Sequence, residues 1–111
     1  MKKLIYLAVP YSHPSPATRQ WRFEQVNIAA AVLMRNGKFV FSPISHTHPI
    51  ARAGQLPTGF EYWREYDREM LSACGKLIVL CLPGWDESVG VQAEIKMALE
   101  MGIPVEYMTP S

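Results

Sequence analysis

One stretch of the chain, residues 80–105, constrains the fold more than any other. It begins as an apolar run, passes through a polar turn, and continues as an amphipathic helix that stops at Gly102 before a second apolar segment. This order of strand, turn, helix and strand is typical of a βαβ unit. Ligands of such units bind at the carboxyl ends of the strands, where loops meet helix N-termini. The spacing Ser88-x-Gly90-x-x-x-Glu94 at the turn therefore predicts a functional site.

The remaining chain shows the same alternation of short apolar runs and helical patterns. The predicted strands cover residues 4–9, 38–41, 76–82 and 103–107, and the predicted helices cover residues 17–36, 60–73 and 89–101. Two connections stand out: residues 10–16 with three prolines, and the long segment 45–59, rich in Gly, Pro and His, which we predict to be a loop. On the first helix, Trp21, Ile28 and Val32 predict the buried side.

This alternation predicts an α/β fold. We expect a flavodoxin-like (Rossmann-like), doubly wound parallel sheet of four to five strands in a three-layer α/β/α arrangement, forming one domain over residues 1–111. A chain of 111 residues is small for a sheet covered on both faces. We therefore expect a homodimer or higher homo-oligomer.

Composition excludes several classes of function. The net charge of +1 gives no electrostatic reason to expect nucleic acid or a membrane surface as a partner. The first apolar run is shorter than the core of a signal peptide, so we expect a cytoplasmic protein. The two cysteines lie in or beside a predicted buried strand and do not indicate a disulfide framework.

Glu94 is the first candidate for chemistry. Its place near the start of a helix predicts that the helix dipole favours the carboxylate form. Helical side chains lean toward the N-terminus, so Glu94 leans over Gly90, where the lack of a side chain predicts open space. Ser88 and the N–H groups of the turn suit an anion or a sugar hydroxyl. The alternative is that Ser88 is only an N-cap and Glu94 a solvated surface residue.

Asp67, on the predicted helix 60–73, is the second candidate. Two carboxyl groups on opposite sides of a pocket suit a nucleophile and an acid in the cleavage of a glycosidic bond. Taken alone, Asp67 is typical of a solvated acid or an ion-pair partner of Arg64 or Arg68.

The histidines and the first loop bear on metals and cofactors. His46 and His48 are two residues apart, with His13 in the first loop, but no spacing fixes a third ligand, and hydrogen bonds to loop carbonyls explain them as well. The loop at residues 10–16 contains no glycine, which argues against a dinucleotide fingerprint. We predict neither a metal nor a cofactor.

A set of motifs spread along the chain resembles the nucleoside 2-deoxyribosyltransferase superfamily, which includes the 2′-deoxynucleoside 5′-phosphate N-hydrolases. The motifs are Ile5-Tyr6-Leu7-Ala8, Asp67, and Ser88-x-Gly90-x-x-x-Glu94-x-x-x-Ala98-x-x-x-Gly102-x-Pro104. Within the superfamily the chain is most similar to small members with a YLA-x-PYSH opening. The resemblance runs along nearly the whole chain, and its most specific part is the last third.

The resemblance implies a catalytic set of three residues. Glu94 matches the nucleophile that attacks the anomeric carbon of the sugar, and Asp67 matches the residue that binds the sugar hydroxyl and assists the leaving base. Tyr6 matches the tyrosine that orients the nucleophile. Ser88 matches the serine that contacts the 5′ phosphate in the hydrolase branch, and Gly90 belongs to the same turn.

The first loop departs from the hydrolase pattern. Val9 and Ser12 stand where that branch has glycine and arginine. Arg19 or Arg22, at the start of the first predicted helix, is the candidate to replace that arginine. Tyr11, Ser12 and Arg19 complete the predicted substrate-binding set.

From this resemblance and these residues we predict an enzyme that cleaves or transfers the N-glycosidic bond of a nucleoside or nucleotide. Attack by water on a glycosyl intermediate would make it a hydrolase, and attack by a second base a transferase. The alternative is a non-catalytic module that binds a nucleoside or nucleotide on the same fold. A third hypothesis is a structural subunit whose helix happens to start with Ser-x-Gly.

Overall fold

The computed structural model of the protein describes residues 2–110. Strands and helices alternate along most of the chain. They are β1 (Leu4–Ala8), α1 (Pro16–Arg35), β2 (Phe39–Phe41), α2 (Pro43–Gly54), α3 (Phe60–Ser72), β3 (Lys76–Leu80), a one-turn 3-10 helix (Trp85–Glu87), α4 (Val89–Glu100) and β4 (Val105–Met108).

The strands form one parallel sheet in the order β2-β1-β3-β4. The predicted α/β, flavodoxin-like class is confirmed, with four strands. From β1 the chain passes through α1 to β2, which lies at one edge of the sheet. From β3 it passes through α4 to β4, which lies at the opposite edge. The order therefore changes direction between β1 and β3, and a crevice at such a point is where ligands bind in open parallel sheets.

The central strand β1 separates two apolar clusters because its side chains alternate between the faces of the sheet. Tyr6 and Ala8 pack on one face with residues of α3 and α4, such as Leu71 and Val91. The other face carries a cluster that includes Val26 of α1. Burial on both faces explains why β1 reads as a continuous apolar run.

Helix α2 corrects the prediction that residues 45–59 form a loop. Pro43 occupies the first turn of the helix, where its fixed φ is favourable and its missing N–H costs nothing. Residues Pro43, Thr47 and Ala51 are buried at a helical spacing of four. Burial of this stripe stabilises a helix whose Pro49 and histidines are typical of a loop.

Helix α1 packs on a different side from the one predicted. Its buried residues include Ala29 and Ala30, whereas Trp21 is 43% exposed and Ile28 is 50% exposed. Small alanine side chains let the helix approach the sheet closely. Within residues 2–110, no helix combines the length and the apolar character needed to cross a bilayer.

Candidate active site

A cavity of about 580 Å³ lies at the carboxyl ends of β1 and β3, at the point where the strand order changes direction. One part of its lining comes from α3 and the start of α4, and includes Asp67 and Glu94. Another part comes from the loop after β1, from α1 and from α2. Groups from both layers of helices therefore meet in one cavity of a size suited to a small ligand.

Tyr6 and Glu94 form a buried hydrogen-bonded pair beside this cavity. The Tyr6 hydroxyl donates to Glu94 Oε2, joining β1 to α4. Tyr6 is fully buried and Glu94 is 5% exposed, so Glu94 is not the solvated surface residue of the alternative interpretation. Burial, followed by the charges of Glu94 and Asp67, raises the pKa of Tyr6 well above 10.0. The hydroxyl therefore stays protonated and acts as a donor.

Burial also sets the protonation of Glu94. Loss of solvation, with a smaller contribution from the charge of Asp67, raises its pKa from 4.5 to about 8, while the Tyr6 hydrogen bond acts in the opposite direction. The helix dipole, which was predicted to favour the carboxylate, does not outweigh this loss of solvation. Glu94 lies beyond the first turn of α4, where the dipole is weak, and desolvation dominates there.

Asp67 lies in the same cavity and is 7% exposed. Burial raises its pKa from 3.8 to about 7. The interpretation of Asp67 as a solvated acid or an ion-pair partner of Arg64 or Arg68 is wrong, because Asp67 is buried, and Arg64 pairs with Glu61 at 2.7 Å on the surface. On α3, Asp67 is buried together with Leu71, which follows at i+4.

Ser88 and Gly90 line the cavity at the start of α4. Ser88 Oγ accepts a hydrogen bond from the Val91 N–H at 3.2 Å, so its predicted role as an N-cap is confirmed. Gly90 also lies against a neighbouring helix. A Cβ atom at position 90 would approach the Phe60 ring to 3.3 Å, so the glycine lets α3 and α4 come close together.

The first loop brings Tyr11 and Ser12 to the cavity. Ser12 Oγ donates to the Thr58 carbonyl at 3.2 Å, which ties this loop to the segment before α3. Arg19, predicted to bind substrate, is outside the lining of this cavity, and its Nη1 donates to the His13 carbonyl. Arg22, in contrast, lines the cavity, and its Nη1 donates to the Ser12 carbonyl at 3.2 Å.

Helix α2 contributes residues that the sequence did not identify as part of the site. His48, 5% exposed, bonds through Nδ1 to the Tyr11 hydroxyl at 2.6 Å and through Nε2 to Gln20 at 3.1 Å. Thr47 is buried beside it and also lines the cavity. The signal available in the sequence was the spacing of four between Pro43, Thr47 and Ala51, which is typical of one side of a helix. The prolines and histidines of this segment, which are typical of a loop, obscured that signal.

The three histidines lie in different surroundings. His13 Nδ1 accepts a hydrogen bond from the Ser15 N–H at 3.0 Å, and the His46 ring lies 6.2 Å from that of Phe41. Within residues 2–110, no group of three His, Cys, Asp or Glu side chains forms a candidate metal site.

Comparison with known proteins supports the resemblance to the nucleoside 2-deoxyribosyltransferase superfamily. The structure is similar to that of a 2-deoxyribosyltransferase from the psychrotolerant bacterium Bacillus psychrosaccharolyticus, characterised as a biocatalyst for the synthesis of antiviral and antitumoral nucleosides. The TM-score is 0.61 at 27% sequence identity, covering 97% of this chain and 73% of the other. No curated protein matches the sequence. The family model described as a domain of unknown function, DUF1937, matches residues 3–109, and the chain therefore belongs to that family.

Proposed function

We propose that the protein cleaves or transfers the N-glycosidic bond of a nucleoside or nucleotide, with Glu94 as nucleophile. The observation that carries the proposal is the buried Tyr6–Glu94 pair, which lies with Asp67 at one cavity at the switch point of the sheet. Similarity to a 2-deoxyribosyltransferase supports the same class of chemistry. We also propose that residues 1–111 act as one domain.

The proposed reaction requires one proton on the pair of acids. Ionised Glu94 attacks the anomeric carbon, and the bond from that carbon to the base nitrogen breaks. The leaving base takes the proton of Asp67, which leaves a glycosyl ester on Glu94 and a carboxylate on Asp67. Water or a second base then attacks the anomeric carbon, Asp67 takes up the proton released, and Glu94 is regenerated.

Tyr6 has a positioning role in this scheme. Its hydroxyl donates to one oxygen of Glu94, which orients the carboxylate and stabilises its ionised form in a buried site. Arg22 and Ser88, both in the cavity lining, are the candidates to hold the 5′ end of the substrate. A positive guanidinium group at that position suits a phosphate.

Release of free base tests the proposal. The wild type and two variants, Glu94→Gln and Glu100→Gln, are incubated with deoxynucleosides, ribonucleosides and their 5′-monophosphates, and the bases are separated by chromatography. Glu100 is the matched control because it is exposed at the end of the same helix, α4. We expect Glu94→Gln to lower base release at least 10³-fold, the scale expected for loss of a nucleophile. Equal release by Glu94→Gln and wild type would contradict the proposal.

A binding module without turnover is the second candidate. A pKa of about 8 leaves most of Glu94 protonated at neutral pH, and a protonated carboxyl group is a poor nucleophile. In this case the wild type would bind nucleosides in calorimetry without releasing base. Binding would persist in Glu94→Gln, whose amide has nearly the same shape as the protonated acid.

A further inference from the structure

Tyr11 lies in a chain of hydrogen bonds whose donors and acceptors can be assigned. Its hydroxyl is 2.6 Å from His48 Nδ1, and His48 Nε2 is 3.1 Å from Gln20 Oε1. Arg52 Nη1 approaches the same Gln20 oxygen at 3.3 Å. Gln20 Nε2 donates to Glu24 at 3.1 Å on the other side. The chain thus runs from α1 and α2 to the cavity.

The charged groups at the two ends of this series of hydrogen bonds, Arg52 and Glu24, fix which group donates in each bond. Arginine has donors only and a carboxylate has acceptors only, so Gln20 must present its oxygen to Arg52 and its amide nitrogen to Glu24. The Gln20 oxygen then accepts from His48, which places a proton on Nε2. In neutral histidine the other nitrogen, Nδ1, is an acceptor, so the Tyr11 hydroxyl donates to it.

The surroundings of His48 keep it neutral. Its ring stacks on Phe23 with centroids 4.2 Å apart and an interplanar angle of 21°. Burial, followed by the positive charges of Arg52 and Arg19, lowers the pKa of His48 below 6.5. Burial raises the pKa of Tyr11 although the positive charge of Arg19 acts in the opposite direction, so the Tyr11 hydroxyl stays protonated and can donate to His48. With its hydrogen held by His48, the oxygen of Tyr11 can take part in further hydrogen bonds only as an acceptor.

The side of the cavity formed by the loop after β1 and by α2 is largely aliphatic. Val9, Pro43, Ile44 and Ala51 give it aliphatic surface. It belongs to the layer of α1 and α2, whereas the acids belong to the layer of α3 and α4. A ligand whose sugar lies at the acids can therefore extend its base toward Tyr11.

We propose that Tyr11 is a specificity-determining residue that accepts a hydrogen bond from the base, so the site prefers bases with an exocyclic amino group over their oxo counterparts. This inference rests on the proposed function and adds a substrate class to it. An oxo group would place its lone pairs against those of Tyr11, whose only hydrogen is held by His48. The preferred substrates are thus nucleosides of adenine or cytosine rather than of hypoxanthine or uracil.

Calorimetric binding to matched nucleosides tests this preference. The Glu94→Gln background prevents turnover, and the pairs are deoxyadenosine with deoxyinosine and deoxycytidine with deoxyuridine. We expect the amino compound to bind about tenfold more tightly in at least one pair, the scale of one hydrogen bond. Adding Tyr11→Phe should bring the ratio close to one. Adding Tyr107→Phe, at an exposed residue of β4, should leave the ratio unchanged.

The role of His48 is tested separately. His48→Phe keeps an aromatic ring against Phe23 but removes the acceptor, so the Tyr11 hydroxyl can turn its hydrogen toward the ligand. We expect weaker binding of the amino compound and tighter binding of the oxo compound, which a merely structural role would not produce. In nitrogen NMR of the parent protein, His48 should show a protonated Nε2 and an unprotonated Nδ1.

The outcomes separate this inference from the proposed function. Base release by the wild type with equal binding of amino and oxo compounds overturns the inference alone. A preference that survives Tyr11→Phe, or a proton on His48 Nδ1, also overturns it. Failure of every nucleoside to bind overturns both proposals.

Discussion

At the scale of single residues, the buried acids decide what the site can do and at which pH. Burial raises the pKa of Asp67 to about 7 and that of Glu94 to about 8. Two interacting carboxyl groups titrate as a pair, so the form with one proton is most abundant between these values. The proposed reaction uses this form with Glu94 ionised and the proton on Asp67, which is the less populated arrangement because Glu94 has the higher pKa.

The first prediction is a bell-shaped dependence of kcat/KM on pH, with its maximum between about pH 7 and 8. Below this range both acids are protonated and the nucleophile is lost, whereas above it both are ionised and the leaving base receives no proton. Base release measured from pH 5 to 10 should fall about tenfold per pH unit on each side. A maximum near pH 5 would show that neither pKa is raised as the structure indicates.

The second prediction concerns the Tyr6 hydroxyl. Tyr6→Phe removes the hydroxyl whose hydrogen bonding lowers the pKa values of both Glu94 and Asp67, so the whole pH profile should move to higher pH. We expect a loss of about 10–100-fold in kcat/KM at pH 7. Tyr62→Phe is the control, since Tyr62 is 52% exposed. A lower rate with an unshifted pH profile would mean that Tyr6 does not act through the pKa values of the two acids.

At the scale of secondary structure, the contact between α3 and α4 shapes the cavity. Gly90, in the first turn of α4, lies against Phe60, the first residue of α3. Both residues line the cavity, so their spacing affects the position of Glu94 relative to Asp67. The N-cap at Ser88 fixes where α4 starts, and hence which residue faces inward one and a half turns later.

The third prediction is that Gly90→Ala lowers base release while changing the free energy of unfolding by less than about 1 kcal/mol. Alanine favours a helix over glycine by up to about 1 kcal/mol, which offsets the cost of moving the half-buried Phe60 ring. The displaced ring would enter the cavity and raise KM. Gly54→Ala is the control, because a Cβ atom there would meet its nearest neighbour, Leu56, at an ordinary 3.6 Å. Unchanged kinetics in Gly90→Ala would contradict this account.

At the scale of the whole molecule, the buried acids link stability to pH. The native state binds protons more tightly than the unfolded chain wherever a native pKa is raised. For Glu94 and Asp67 this window extends from about pH 4 to about pH 8. The contribution of these acids to the free energy of unfolding is therefore greatest below pH 4 and is lost as pH rises to 8.

The fourth prediction is that Glu94→Gln makes the protein more stable than wild type at pH 8, by about 2–4 kcal/mol, and not at pH 4. Glutamine keeps a neutral hydrogen-bonding group in the site without the cost of a buried charge. Urea unfolding at the two pH values measures the effect, and the difference between proteins separates Glu94 from other titrating groups such as His48. Glu100→Gln, at an exposed position, should behave as wild type at both. A difference of the same size at pH 4 would contradict the prediction.

The fifth prediction is that the protein associates with itself. Exposed large apolar side chains include Phe39 at 60% on the edge strand β2 and Leu99 at 67% on α4. Covering them would remove apolar surface from water, which favours association. Native mass measurement should give at least twice the 12.6 kDa of one chain, and a mass of one chain at micromolar concentration would contradict this.

Local patterns in the sequence were sufficient for much of the architecture. The apolar runs of β1 and β3, the start of α3 at Phe60 and the Ser88 N-cap of α4 depend on neighbouring residues, and all lie within a few residues of their predicted positions. Helix α2 was missed because Pro49 and the histidines are typical of a loop, and only burial against the rest of the molecule stabilises it. The exposed side of α1 was misassigned for a similar reason, since packing favoured its alanines over Trp21.

The sequence by itself determined the alternating α/β order, the turn that carries Ser88 and Glu94, and the candidate acids, because these follow from spacing along the chain. Only the tertiary structure decided that Glu94 and Asp67 are buried beside Tyr6, which raises their pKa values. It also decided that His48 binds Tyr11. These properties depend on contacts between residues that are far apart in the chain, 88 residues for Tyr6 and Glu94 and 37 residues for Tyr11 and His48. No local sequence pattern predicts such contacts.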